Sequence, residues 1–492
     1  MAWKLRKLIG LTCGLAVFSA LGGAADAALF VVTKTADSAD GACDGDCSLR
    51  EAVIASNAAP GPDVVLVEPG SYILSLAGAP DSPAVGDLDL DEDVILYGES
   101  AATTVIHGAG HDRLLDVAGD AVAEVVGIML SGGRASEGGG GVVRNRGVLR
   151  LRRSVVMAGS LGAPGLPGGG IWSSGEGSEL EIEASTISGN TATGDGGGIA
   201  VDGRLTLVNS TVSGNSAPAG SGGGLYAFAD TDAVVVQSTI TANSAAESGG
   251  GIFGDSVPFI SVERAHLRGS IVARNSAPTD RDCAGAVASD GGNLLGDGEE
   301  CIDFVPGKGD LEGTAAAPLD PFLAELANNG GSTSTHALLA ASPALDRLAT
   351  CEAFDQRGQE RPAGAACDIG AFEVGSDCLS GGPTLCLNAS RFRVTARWRL
   401  ASGPSGDGLG IPLTSDSGLF WFFDPDNVEL TVKVLNGCGV NNRHWVFLSG
   451  LTNVEVTVTV TDTATGAVKT YLNPLNRNFR PVFDTVAFAT CP

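Results

Sequence analysis

Methionine, tyrosine and tryptophan are scarce in this chain, at 3, 4 and 5 of 492 residues. Runs of strong helix formers are scarce too. A helical bundle or a doubly wound enzyme is thereby excluded, and a β protein with many turns is expected. Positive charge is also in short supply, with 30 Lys and Arg against 57 Asp and Glu. That balance argues against nucleic acid as a partner, because a phosphate backbone needs a basic face. After the first 23 residues no apolar run reaches the length of a membrane-spanning helix. No phosphate loop, Gly-x-Ser-x-Gly elbow or catalytic cysteine–histidine setting occurs. "HGAGH" at 107–111 spaces two histidines by four, but its glycines oppose the helix that would aim both at zinc.

The start of the chain reads as a leader. Lys4, Arg6 and Lys7 precede an apolar run from Leu8 to Gly23 and the small-residue stretch "AADAALF". This is the pattern of a signal peptide, residues 1–27, cut after Ala27. A secreted or cell-surface protein is expected. Cys13 leaves with the leader. Ten cysteines remain: Cys43, Cys47, Cys283, Cys301, Cys351, Cys367, Cys378, Cys386, Cys438 and Cys491. An even number in an exported chain suggests disulfides, with several free thiols as the competing reading. The spacing favours sequence-local pairs, 43 with 47, 283 with 301, 351 with 367, 378 with 386 and 438 with 491. Loss of Lys4, Arg6, Lys7 and Asp26 takes the net charge from −27 to −29, while basic and acidic residues balance within 377–492. All the excess acid therefore lies in 28–376, and the charge step marks a domain boundary.

Glycine is the abundant residue, at 71, and much of it is periodic. "GGGI" at 168–171 and 196–199, "GGGL" at 222–225 and "GGGI" at 249–252 alternate with "STISGN", "STVSGN", "STITAN" and "SIVARN". The latter end at Asn190, Asn215, Asn243 and Asn275. Before them Leu180 and Ile182, Leu205 and Leu207, and Ala233 and Val235 alternate with outward neighbours, as in strands with one buried face. A unit of 25 to 32 residues cannot bury that face alone, whereas stacked units can. The four asparagines then form a column in which each buried amide donates to one copy and accepts from another. The expected fold is all-β: a right-handed parallel β-helix at 77–310, its coils beginning near residue 65 and numbering roughly nine. The repeats resemble those of the polymorphic outer-membrane protein family.

An open solenoid needs its ends covered. In "CDGDCSLREA" (43–52), Ser48 and Glu51 have capping-box spacing, so a short helix from Ser48 to about Asn57 is expected to cover the first coil. Residues 28–76 resemble the CSLREA domain found at the N-terminal side of secreted β-helix proteins. A calcium loop through Asp37, Asp40, Asp44 and Asp46 lacks the ligand alternation and terminal Glu of an EF-hand. No cofactor is expected, with calcium as the open alternative. Residues 311–376, with "NNGGSTSTHALLAASPALD", "DQRG" and "CDIGAFE", resemble the choice-of-anchor Q domain. That resemblance implies a region that closes the β-helix. Asp355, Arg357, Arg361, Asp368 and Glu373 are expected to form an ion-pair network there. His336, the candidate for catalysis, is read as structural because it belongs to the closing motif and lacks a nucleophile partner.

Residues 377–492 read as a small antiparallel β-sandwich with a hairpin at 454–471. In "RFRVTARWR", Arg391, Arg393, Arg397 and Arg399 share one strand face, a cationic stripe that could meet an acidic glycan, the envelope or the chain's own acidic helix. Parallel β-helices include pectate lyases and polygalacturonases. Asp87, Asp89 and Asp91 share a strand face, as do Arg150 and Arg152, but neither set matches a lyase or hydrolase motif. The functional expectation is a monomeric scaffold or adhesin-like protein that binds polysaccharide or envelope components, without a metal and without catalytic residues. The alternative is a polysaccharide lyase or hydrolase acting on acidic polysaccharide along the helix wall.

Overall fold

The computed structural model describes residues 27–492 apart from 79–81, 230, 256–264, 300, 304–308, 376–377, 379–381, 389, 464 and 492. The expected leader lies outside the described residues, save Ala27. The chain winds into a parallel β-helix with three walls. The first wall stacks eight strand segments, from Leu88–Leu90 through Leu115–Val117 and Val143–Asn145 to the start of Cys283–Gly291. The second runs from Leu29–Val32 and Asp63–Val67 through Val148–Arg152 to Ala265–Arg268 and beyond. The third stacks ten strands from Gly70–Ile73 to Leu311–Glu312. The helix makes about eight turns, against nine expected. The first pass, from Leu29–Val32 to Asp63–Val67, has no third-wall or first-wall strand, because the chain makes the N-terminal helix there instead.

The alternation in sequence becomes columns in the core. Leu180, Leu205 and Ala233 align in register, as do Ile182, Leu207 and Val235, and Ile187, Val212, Ile240 and Val272. All are buried in one continuous core. Each Leu, Ile or Val buried this way contributes about 1.5–3 kcal/mol relative to exposure.

The asparagines form the expected ladder. Asn190 donates from its backbone N and its Nδ2 to Asn215 Oδ1 at 3.0 and 2.9 Å. Asn215 repeats this to Asn243, and Asn243 to Asn275. Asn275 has no asparagine beyond it, and Asp282 Oδ1 takes that place, accepting its N and Nδ2 at 2.8 and 2.9 Å. The glycine triplets follow from the same geometry. The first glycine has φ of +70°, +68°, +65° and +60° in the four copies. A Cβ on the third would sit 2.7 to 3.0 Å from the ladder asparagine of its own coil. Ile252 pairs with Cys283, so Asp282 occupies the third-glycine position where the ladder has ended.

A second ladder runs beside the first. The backbone N of Ser154, Ser185, Ser210 and Ser238 each donates to the hydroxyl of the serine one coil on, at 3.1 to 3.2 Å. Ser270 N donates to Asn293 Oδ1, and Asn293 N to Asp310 Oδ1. This ladder also ends on a carboxylate.

At the N-terminus, helix Leu49–Ala58 starts at Ser48 with a full capping box. Glu51 accepts from Ser48 N at 2.7 Å, Ser38 Oγ at 2.7 Å and Asp40 N at 3.1 Å. Burial alone would raise the pKa of Glu51, but these donors outweigh it and hold the carboxyl at about 2. Arg50 is fully buried, pairs with Asp37 at 2.8 Å and donates to the carbonyls of Gly86 and Asp87. These bonds tie the helix to the first coil.

Only the start of residues 311–376 covers the far end of the solenoid, where the sequence led us to expect the whole region. Leu311–Glu312 adds the last strand of the third wall, and Gly313 and Leu319 bond to Leu295 and Gly296 of the coil before it. The rest of the region turns back and lies along the outside of the third wall. The last coils of this wall turn apolar residues outward, and Ile271, Ala273 and Leu294 join Leu323, Leu338, Leu348, Ile369 and Phe372 in a separate core. Earlier coils meet the segment through Thr186, Thr211 and Ser213. Gln356 clamps the segment, donating from Nε2 to Ser185 O and Thr186 Oγ1 and accepting from Thr211 Oγ1 at 2.6 Å. The ion-pair network forms: Arg357 pairs with Asp355 at 2.7 Å and lies 3.6 Å over the Phe372 ring, and Arg361 pairs with Glu373 at 3.2 Å. Asp368 joins it through backbone amides of Asp346 and Val374.

The last domain consists of two five-stranded antiparallel sheets sharing one apolar core, with Val454, Val456, Val458 and Val460 inside. The ten cysteines lie in five pairs, each sequence-local as expected, with Cα–Cα distances of 4.4 to 6.4 Å.

Candidate functional site

The outward positions of the first wall align into a column that was not read from the sequence. In register from coil to coil it runs Asp89, Asp116, Arg144, Trp172, Ala200, Tyr226, Phe253. One end is ionic and the rest is aromatic.

At the ionic end Asp87, Asp89 and Asp116 bring carboxylate oxygens within 4.8 Å of one another. Of the expected trio, Asp91 does not join, because it is bound to Asn57 of the cap helix. Asp116 takes its place from the next coil. Arginines surround the cluster. Arg113 pairs with Asp87 at 3.0 Å and is fixed by the carbonyls of Gly139 and Glu137. Arg144 Nε donates to Asp116 at 2.9 Å, and Arg146 reaches it at 3.3 Å. Burial, then the charge of Asp112, pushes Asp87 up to about 7 despite Arg113. A divalent cation could bridge the three carboxylates. The arginines already supply countercharge to two of them, so the cluster stands as an ion-pair network.

Further along, Trp172, Tyr226, Phe228 and Phe253 form a continuous aromatic strip. Tyr226 stacks on Phe253 at 5.1 Å and 11°. Ala200 leaves a gap in the column, and Phe228 bridges it, 5.2 Å from Trp172 and 4.6 Å from Tyr226. Burial raises the Tyr226 phenol pKa, reinforced by Asp195, Asp255 and Glu247. The strip therefore runs beside carboxylate acceptors.

The other expected sites resolve as follows. Arg150 and Arg152 belong to the second wall and are spent on cross-coil ion pairs, Arg150 with Glu181 at 3.1 Å and Arg152 with Glu124 at 2.9 Å and with Glu183. They are wall struts rather than a catalytic base. Arg391, Arg393, Arg397 and Arg399 do share a face, but the stripe is not an open cationic surface. Arg391 pairs with Asp462, Arg397 with Asp407 and Arg399 with Glu455. Asp37, Asp40, Asp44 and Asp46 do not converge: Asp37 holds Arg50 and the amides of Ser75 and Leu76, Asp40 and Asp44 hold turn amides, and Asp46 holds Lys34.

His336 is buried. Its Nδ1 donates to Ala324 O at 2.7 Å and its Nε2 accepts from Ser213 Oγ at 2.8 Å, while burial lowers its pKa. Ser213 is a repeat position of the third wall. The pair therefore pins the flanking segment to the solenoid. His444 lies against the Cys438–Cys491 pair, with both sulfurs already joined.

Among the described residues no helix is long and apolar enough to cross a membrane. No family model, curated protein or solved structure matches the chain.

Proposed function

We propose that this chain is an exported β-helix scaffold that binds a glycan along its first wall, with residues 28–76 serving as a CSLREA-like cap and 311–376 as a choice-of-anchor-Q-like flank. The observation that carries the reading is the in-register outward column, which passes from an Asp–Arg cluster to Trp172, Tyr226 and Phe253. Successive coils are about 4.8 Å apart, comparable with one sugar unit of an extended chain. A linear glycan laid along the axis therefore runs parallel to the column and meets its partly exposed rings, Trp172, Phe228 and Phe253, with Tyr226 buried among them. Aromatic faces take the apolar faces of sugar rings, and nearby carboxylates accept their hydroxyls. The acid excess of 28–376 disfavours a polyanionic ligand and favours a neutral or amino sugar chain. The paired cysteines support an oxidising, extracellular or cell-surface location.

The test is a glycan array with the leaderless chain, with and without calcium, followed by product analysis. Binding to neutral glycans that is lost in Trp172→Ala/Phe253→Ala is expected. Equal binding by that variant rejects the wall as the site. A lyase is the second reading, favoured by the Asp87, Asp89 and Asp116 cluster beside arginines. Calcium-dependent chain cleavage that is abolished in Asp116→Asn would replace the scaffold reading with it.

A further inference from the structure

The β-sandwich carries a cleft that is independent of the helix wall. It is open, about 570 Å³ in volume, and lined by Phe423, Glu429, Thr452, Asn453, Asn478 and Phe479 among others. That volume is in the range of small-molecule sites. The stretch "FWFFDPDN" supplies its first ring, and its aromatics divide by role: Phe420 and Phe422 are in the core, while Phe423 is 48% exposed. Phe423 is nevertheless held in place, edge-on to Trp398 at 4.8 Å and perpendicular to Phe422 at 6.2 Å.

The second ring is fixed as firmly. A Cβ on Gly450 would lie 2.5 Å from the Phe479 ring, so glycine there lets the ring sit directly on the strand backbone. Phe479 N donates to Thr452 O at 3.1 Å, and Asn476 N to Asn453 O at 2.9 Å, which joins the two loops that carry Asn453 and Asn478. Glu429 is only 6% exposed yet lines the cleft. Asn427 Nδ2 donates to its Oε1. Among the described residues no cation pairs with it, so a buried carboxylate retains acceptor capacity beside two aromatic rings and two amides.

We propose that this cleft binds a single sugar ring, a neutral or amino hexopyranose, with its apolar face on Phe423 or Phe479 and its hydroxyl or amino donors on Glu429 and the two asparagines. The chemistry fits because a pyranose presents both an apolar face and vicinal donors, and a buried carboxylate makes charge-assisted bonds to them. The site does not depend on the wall, and together they would make the chain bivalent for glycan.

The test is calorimetric titration of the full leaderless chain with glucose, galactose, mannose, glucosamine and N-acetylglucosamine at millimolar concentrations. At least one sugar should bind. Glu429→Gln and Phe423→Ala should each weaken it by about tenfold or more. Phe423 is half exposed, so its replacement leaves the core closed and separates loss of binding from loss of fold. Gly450→Ala should weaken binding by displacing Phe479. Trp172→Ala on the wall should leave it unchanged. No binding by any of the sugars, or wild-type affinity in both Glu429→Gln and Phe423→Ala, overturns the proposal. Loss of binding in Trp172→Ala alone would assign the sugar to the wall and overturn it as well.

Discussion

Replacing Asn215 tests the logic of the solenoid interior most directly. Its Oδ1 accepts from both Asn190 N and Asn190 Nδ2. Its Nδ2 donates to Ile187 O at 3.0 Å and Asn243 Oδ1 at 2.9 Å. Asn215→Ala strands the buried Asn190 N–H, worth about 1–3 kcal/mol, and removes three further bonds worth about 1 kcal/mol each, although Asn190 Nδ2 keeps its bond to Val156 O. Asn243 Oδ1 keeps its bond from Asn215 N, so the loss is partly absorbed. The expected destabilisation is about 3–4 kcal/mol. Asn215→Asp keeps the shape and the acceptor but turns both donors into acceptors facing acceptors. It should be as damaging at pH 8 and partly recovered at pH 5, where protonation returns one donor. Coils can open individually, so the assay pairs guanidinium denaturation with hydrogen exchange of the peptide spanning 184–196. A loss below about 1 kcal/mol with unchanged protection of Asn190 would refute the claim that the ladder stabilises the stack.

Other perturbations have equally definite outcomes. Burial raises Asp282 to about 6 and Asp87 and Asp368 to about 7. A folded pKa above the unfolded value gives stability that is full below about 4 and lost as pH rises through 6 to 7, so the denaturation midpoint should be higher at pH 5 than at pH 8. A midpoint that climbs steadily to pH 8 would contradict this. Glu51 has the opposite sign, and its contribution is lost only as pH falls from the usual carboxylate range towards 2. Ser48→Ala should cost about 1 kcal/mol and expose helix 49–58 to exchange first, which the same exchange experiment reads. Cys438→Ser/Cys491→Ser opens a link across 53 residues and should lower sandwich stability by up to about 4 kcal/mol, whereas Cys43→Ser/Cys47→Ser, across 4 residues, should cost about half that. Gln356→Ala should free the flanking segment to limited proteolysis near 356 while leaving the far-ultraviolet spectrum of the β-helix intact.

The architecture was legible because its rules are local. Period-two alternation, the glycine triplets and the asparagine spacing each state one physical requirement in a few residues. The serine ladder was written in the same motifs, as the first residue of "STISGN", "STVSGN", "STITAN" and "SIVARN", and went unnoticed because serine is common in turns. The first-wall column was legible only in part. At its ionic end no repeat motif aligns the coils, so only the three-dimensional register shows that Asp89 meets Asp116. Trp172, Tyr226 and Phe253 each directly follow a glycine-triplet motif, and their shared line was written in the repeats but went unread. The route of residues 311–376 was hidden for another reason. Outward Thr, Ser and Ile positions of the third wall look solvent-facing until a second segment is found covering them.

The replacement of the third glycine by Asp282 bears on how such a chain can lengthen. Each of the four ladder coils spends one glycine to make room for one asparagine. Beyond Asn275 the asparagine is missing and the vacated space accepts a side chain, which there must be an acceptor because Asn275 N and Nδ2 still point to it. Asp282 thus acts as a stop signal for duplication of the repeat. New coils can be copied in ahead of it, each bringing its own glycine and asparagine, but a coil added after it would have to undo the carboxylate first.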